Sequence, residues 1–211
     1  MNRLARKLAH LLAENAGNSL YHEDEVRYGL EIALGGLLQI IIIMAAALLL
    51  GIAKEALAII TAAVLYRRYA DGPHCQTYYR CTIASLINFT LLAYLSRYLP
   101  VNYLPVYLIG TSILSVLVIH YYVPADNPIN PITDEAMRRK RKQKSYLVWL
   151  VILLVSITAA YIMGEKPVAT ALLLGLCWQN FTLLPGGRAY IHLWDRFFEI
   201  IEGKLKREEV I

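Results

Sequence analysis

Between Ile32 and Ile52 the chain carries one polar side chain, Gln39. A stretch of that length, wound as an α-helix, matches the hydrocarbon core of a bilayer, roughly 30 Å thick, where every backbone N–H and C=O must be satisfied internally. Helices are the only way to bury it. Cys81 to Tyr98, Tyr103 to Val123, Tyr146 to Met163 and Val168 to Leu184 read as further spans. Ala56 to Tyr66 is too short to cross alone unless it runs on into the polar stretch that follows, as a half-buried or broken helix. The expectation is an all-α, polytopic membrane bundle of about six segments, the second one short or broken.

The ends of the chain have a different pattern. Leu4, Leu8, Leu11 and Leu12 share a helical face flanked by Arg3, Arg6 and Lys7, and Ile191, Trp194, Phe197, Phe198 and Ile201 share another near the C-terminus. Both predict amphipathic helices in the membrane interface. The whole then reads as one membrane domain, with an interfacial helix over 1–20, a membrane core over 25–185 and an interfacial tail over 186–211. No cleavable leader is evident, since the N-terminal Leu residues are broken up by basic ones.

Six crossings place eighteen of the 21 Lys and Arg on one side and leave Lys54, Arg97 and Lys166 on the other. By the positive-inside rule the richer side is cytoplasmic, and both termini lie there. The formal net charge of +5 would point to nucleic acid in a soluble chain. Here the basic residues border apolar segments, so anionic lipid head groups are the simpler partner and no nucleic acid is expected. Three cysteines, Cys75, Cys81 and Cys177, fall on or near the reducing side, which argues against a disulfide framework.

Chemistry concentrates where the second segment ends. Arg67 to Cys81 reads RRYADGPHCQTYYRC and holds one His, two Cys, one Asp and three Arg. Cys81 is the candidate nucleophile and His74 its general base, since a thiolate attacks and imidazole can take the thiol proton. On a continuous helix the two would stand roughly 10 Å apart along the axis. Gly72 and Pro73 predict a break that folds His74 back over the start of the next helix. There the helix dipole and Arg80 would favour the thiolate.

Each member also has a bland reading. Cys81 is by type a small core residue; Cys75, next to His74 in sequence, should point away from it. A metal site from His74, Cys75 and Cys81 lacks a fourth ligand at a known spacing, and neither metal nor cofactor is expected. Arg67 and Arg68 are either cytoplasmic anchors or ligands for a peptide carboxylate, and Asp71 either orients His74 or forms a turn. Glu31 and Gln39 at the first span are candidate intramembrane polar contacts, and Cys177, Gln179 and Asn180 in the last span can line the same cavity. The basic run Arg138, Arg139, Lys140, Arg141, Lys142 and Lys144 follows a proline-rich loop.

The order of these features resembles the accessory gene regulator protein B family, membrane cysteine endopeptidases that process the precursor of a cyclic quorum-sensing peptide in Gram-positive bacteria. Three stretches carry it: YGLEIALG at Tyr28 to Gly35, the Arg67–Arg68 pair followed by Gly72, His74 and Cys81, and YYVPADNPINP before the basic run. The resemblance covers about residues 25–185. It implies His74 and Cys81 as the catalytic pair, and a thioester acyl-enzyme resolved by cyclisation of the precursor to a thiolactone or lactone. The implied partner is a membrane-associated propeptide, a second copy of the chain is a further candidate, and by charge the basic run is a candidate to attract an acidic tail of the propeptide. This sequence departs from the family at Asp71 and Pro73, where small residues are common, and in having Cys75. A non-enzymatic transporter or peptide exporter, using the broken segment as its binding site, is the alternative.

Overall fold

The computed structural model describes residues 23–125 and 132–208. All regular structure among them is helical: α1 Glu23–Leu49, α2 Ala53–Ala70, α3 Tyr78–Tyr98, a short 3-10 turn at Val101–Tyr103, α4 Leu104–Tyr122, α5 Glu135–Tyr161, α6 Lys166–Leu183 and α7 Pro185–Glu208. The expected N-terminal interfacial helix and the middle of the proline-rich loop lie outside the described residues.

Small residues set the packing. α6 is central, packed against α2, α3, α4, α5 and α7. A Cβ on its Gly175 would stand 2.7 Å from the carbonyl oxygen of Ile59, so α2 and α6 approach backbone to backbone, with Ala62 alongside. Polar side chains tie the same layer together: Tyr66 Oη donates to Asn180 Oδ1 at 2.9 Å, and Asn180 Nδ2 donates to Ser115 Oγ at 2.7 Å. Within apolar surroundings these groups have no water to turn to, which fixes their register.

Large apolar side chains cover the outside, among them Leu37, Ile41 and Leu48 on α1, Ile109 and Ile113 on α4, and Leu147 and Leu154 on α5. So much exposed apolar surface is compatible with lipid as solvent. Three stretches are long and apolar enough to cross a membrane: Gly29–Leu49, Val101–Tyr122 and Glu135–Tyr161. Lys166–Leu183 and Pro185–Gly203, bent by 86° against each other, make a fourth if they are one broken span. α2 and α3 are the two remaining segments of the six-crossing reading.

The second segment is longer than its apolar core. α2 does not stop at Tyr66 but carries Arg67 and Arg68 in its last turn and ends at Asp71, whose φ is 62°. It is an inner helix, with Ile59, Ala62, Tyr66 and Ala70 fully buried, and its charged end finds partners inside the protein. Gly35 also has an internal use. Its carbonyl accepts a hydrogen bond from Tyr78 Oη, and a Cβ there would meet the Tyr78 ring at 2.7 Å. Its small size serves α1–α3 packing within one chain.

Candidate active site

The break between α2 and α3 is built by residues that cannot continue a helix. Asp71 takes a left-handed conformation, Gly72 has φ 149°, and Pro73 follows. Asp71 Oδ1 accepts from the Gly72 N–H at 2.9 Å, which is the turn-forming role. The carbonyls freed by the break are taken up by side chains. Arg67 Nη2 donates to Gly72 O at 3.0 Å and to Pro73 O at 2.5 Å, and Gln179 Nε2 from α6 donates to Asp71 O at 3.0 Å. Arg67 is thus a loop ligand, and the surface-anchor role falls to exposed Arg68.

This fold-back brings the two expected residues together. His74, Cys75 and Cys81 line one cavity, with the His74 and Cys75 side chains beside the Cys81 thiol. Cys81 sits in the first turn of α3, its N–H bonded to Thr77 O at 3.2 Å. The expectation that Cys75 diverges is not met. In an irregular loop, adjacent side chains are free of the helical spread, and Cys75 turns onto the same thiol as His74. Its own pKa is pushed up, first by the hydrogen bond with Cys81 and then by burial, so Cys75 keeps its proton as a donor toward Cys81.

Cys81 opens into a cavity of about 230 Å³ lined mostly by apolar groups, including Ile43, Ile60, Phe89 and Trp178, with Arg67, His74 and Cys75 at one end. Gln179 lines it as expected from the sequence, and Gln39, expected as an intramembrane polar contact, lines it too. Cys177 and Asn180 do not: Cys177 Sγ pairs with Thr111 Oγ1 at 3.2 Å and Asn180 belongs to the Tyr66–Ser115 network. Tyr190, Ile191 and Trp194 of α7 close the cavity. Part of the apolar face expected to lie in the membrane interface therefore covers the site instead.

With that geometry in view, the relatives of the chain are informative. The family model for accessory gene regulator B matches residues 3–183. Accessory gene regulator protein B of Staphylococcus haemolyticus is 31% identical over 170 residues, covering 80% of this chain and 86% of that protein. The protein of the same name from a Staphylococcus aureus strain is 27% identical over 80% of this chain and 87% of that one. An AgrB-like protein of Clostridium perfringens is 26% identical over 92% of this chain and 98% of that one. No solved structure matches. The chain belongs to the accessory gene regulator B family.

As a member of that family the chain places His74, Cys75, Cys81, Arg67 and Gln179 inside the matched region and α7 beyond it. Arg80 is not where the sequence reading put it. It is buried and turned to α7, with Nη2 at 2.9 and 3.0 Å from the two oxygens of Glu202 and Nη1 at 3.5 Å from both Asp195 and Glu199. Its charge is taken up by those carboxylates rather than offered to Cys81.

The basic run divides by helical position at the start of α5. Arg141 Nη1 stands 3.8 Å from Asp71 Oδ2, which joins this helix to the site loop. Arg138, Arg139 and Lys142 line a second cavity of about 510 Å³ with Glu135, Arg188 of α7 and the end of α4. Lys140 is exposed, and Lys144 lies over the Tyr69 ring, 5.2 Å from its centre.

Proposed function

We propose that this accessory gene regulator B family member is a membrane cysteine endopeptidase that cleaves a quorum-sensing propeptide and supports its cyclisation. The observation that carries the reading is the convergence of His74 and Cys75 on Cys81 at the end of an apolar cavity, where helix α2 breaks. His74 takes the Cys81 proton, and the thiolate attacks the scissile carbonyl carbon. The tetrahedral species collapses to a thioester as His74 protonates the departing amine, which releases the C-terminal fragment. Thr77 gives α3 no side-chain cap, so the first-turn N–H groups beside Cys81 are available as oxyanion donors.

A thiol or hydroxyl of the bound N-terminal fragment then attacks the thioester carbon, closing the thiolactone or lactone ring, while its proton passes through His74 to the departing Cys81 sulfur. The apolar wall keeps water from the thioester, and a tethered nucleophile has a high effective concentration. On this reading the basic cavity at the start of α5 receives the acidic tail of the propeptide. The chain crosses the membrane six times with both termini cytoplasmic, as one membrane domain and as a dimer. Arg97 and Lys54, on the opposite side, are matched by Glu55 and Glu165, which supports that asymmetry.

The test is cleavage of the cognate propeptide by the full chain in membranes. Cys81→Ala and His74→Ala abolish it, and Cys75→Ala retains it at reduced rate. Normal cleavage by Cys81→Ala sinks the peptidase reading and leaves transport or export of the peptide as the function of the cavity.

A further inference from the structure

The loop that carries His74 is held from two sides. On one side Arg67 and Gln179 hold the carbonyls of Asp71, Gly72 and Pro73. On the other, the Gln76 N–H donates to Asp195 Oδ1 of α7 at 3.0 Å. Only His74 and Cys75 lie between these two attachments. Without the second one the loop would be held only at Pro73 and where the chain enters α3 at Tyr78, and the two-residue span that must aim an imidazole at a thiol would have no attachment of its own on that side.

Asp195 is built for more than surface solubility. It is 2% exposed, whereas Glu199 and Glu202, which reach Arg80 from the same helix, keep contact with solvent. Its Oδ1 is shared between Gln76 N–H and Arg80, and its own carbonyl accepts from Arg80 Nη1 at 3.3 Å. Arg80 is one residue before Cys81, so one carboxylate is tied both to the loop carrying the base and to the turn carrying the nucleophile. Its Oδ2 is buried with no hydrogen-bond partner among the described residues, a cost that a merely structural position would select against.

We propose that Asp195 is a positioning residue for the Cys81–His74 pair, which makes the C-terminal helix α7 part of the active site rather than only a membrane anchor. The proposal rests on the peptidase reading for its purpose, but not for its test. Alkylation of the Cys81 thiol needs no propeptide, so it reports on the pair whether or not the chain cleaves one.

The experiment uses the full chain in lipid nanodiscs. Iodoacetamide labelling of Cys81 and of Cys177 is followed by peptide mass spectrometry in wild type, Asp195→Ala and Asp195→Asn. Ala removes the attachment and slows Cys81 alkylation by about tenfold, while Asn, which keeps an acceptor for Gln76 but loses the charge, slows it about threefold. Cys177, packed on Thr111 away from the loop, labels at the wild-type rate in both. In the cleavage assay kcat falls in the same order with KM unchanged. Should Asp195→Ala fail to assemble, Asp195→Asn alone decides. An unchanged Cys81 rate in the assembled variants overturns the proposal, and so does a joint rise of Cys81 and Cys177 labelling, which would mean general loosening. Normal cleavage by Cys81→Ala together with slowed alkylation would instead fault the peptidase reading and leave the positioning role standing.

Discussion

The bundle is interrupted twice around α2, and the two breaks are built in opposite ways. Between α1 and α2 the chain turns at Gly51, with φ 68°, and the turn closes on itself: Gly51 N–H bonds to Leu48 O at 3.1 Å and Ile52 N–H to Ala47 O at 2.9 Å. One outside group helps, Arg97, which donates to Gly51 O at 2.5 Å while paired with Glu55. Between α2 and α3 the six residues from Asp71 to Gln76 lean on side chains from α2, α6 and α7. A turn that satisfies most of its own backbone needs little from the rest of the fold. A loop satisfied by distant side chains has its shape dictated by them, which suits a site in which two groups must meet.

If that distinction is right, the largest effect among the supporting residues belongs to Arg67. Arg67→Met keeps the aliphatic stem but removes both carbonyl bonds from the site loop, and the expected outcome is a loss of about a hundredfold in kcat, read by propeptide cleavage in membranes. Near-normal kcat would mean that the loop is held elsewhere. The basic cavity should behave differently, because it bears on capture rather than chemistry. Replacing Arg138, Arg139 and Lys142 together with Gln should raise KM by about tenfold with kcat unchanged, and the wild-type KM should rise with salt while that of the triple variant does not. Unchanged kinetics would remove the acidic tail from the picture.

Much of this contrast was legible in the sequence. The apolar runs pointed to an all-helical chain with helices long and apolar enough to cross a membrane, and Asp71, Gly72 and Pro73 marked the break that lets His74 return toward Cys81. What could not be read is what crosses between helices. Gln179 stood out as a polar group in an apolar run, yet its bond to Asp71 O depends on how α6 packs on α2. Asp195 gave no signal, since an acid on the polar face of an amphipathic helix looks solvated until α7 folds over the cavity. Arg80 was misassigned for the same reason: its neighbour in sequence is Cys81, but its partners lie more than a hundred residues away. In the sequence, an α2 that runs past Tyr66 is only one of two options, because hydropathy counts Arg67 as an end, whereas the fold gives it two carbonyls to bind.

The smaller effects sharpen the comparison. Cys75→Ala removes a thiol donor to Cys81 but leaves His74 in place, so cleavage should slow by about threefold, and Cys75→Ser, whose hydroxyl can donate, should recover most of it. Equal rates for Ala and Ser would show that the second thiol is a bystander.

Arg97→Met tests the other break. It strips Glu55, which is nearly buried, of its ion-pair partner and Gly51 O of a donor, so the expected result is a fall of about 5 °C in the unfolding midpoint of the detergent-solubilised chain. Its kcat and KM should stay at wild-type values, because the α1–α2 turn shapes no residue of the site. A kinetic defect there as large as that of Arg67→Met would dissolve the distinction between the two breaks: α2 would then be acting as a rigid rod that carries disturbances from one end to the other, and the self-closing turn would be as much a part of the catalytic apparatus as the loop.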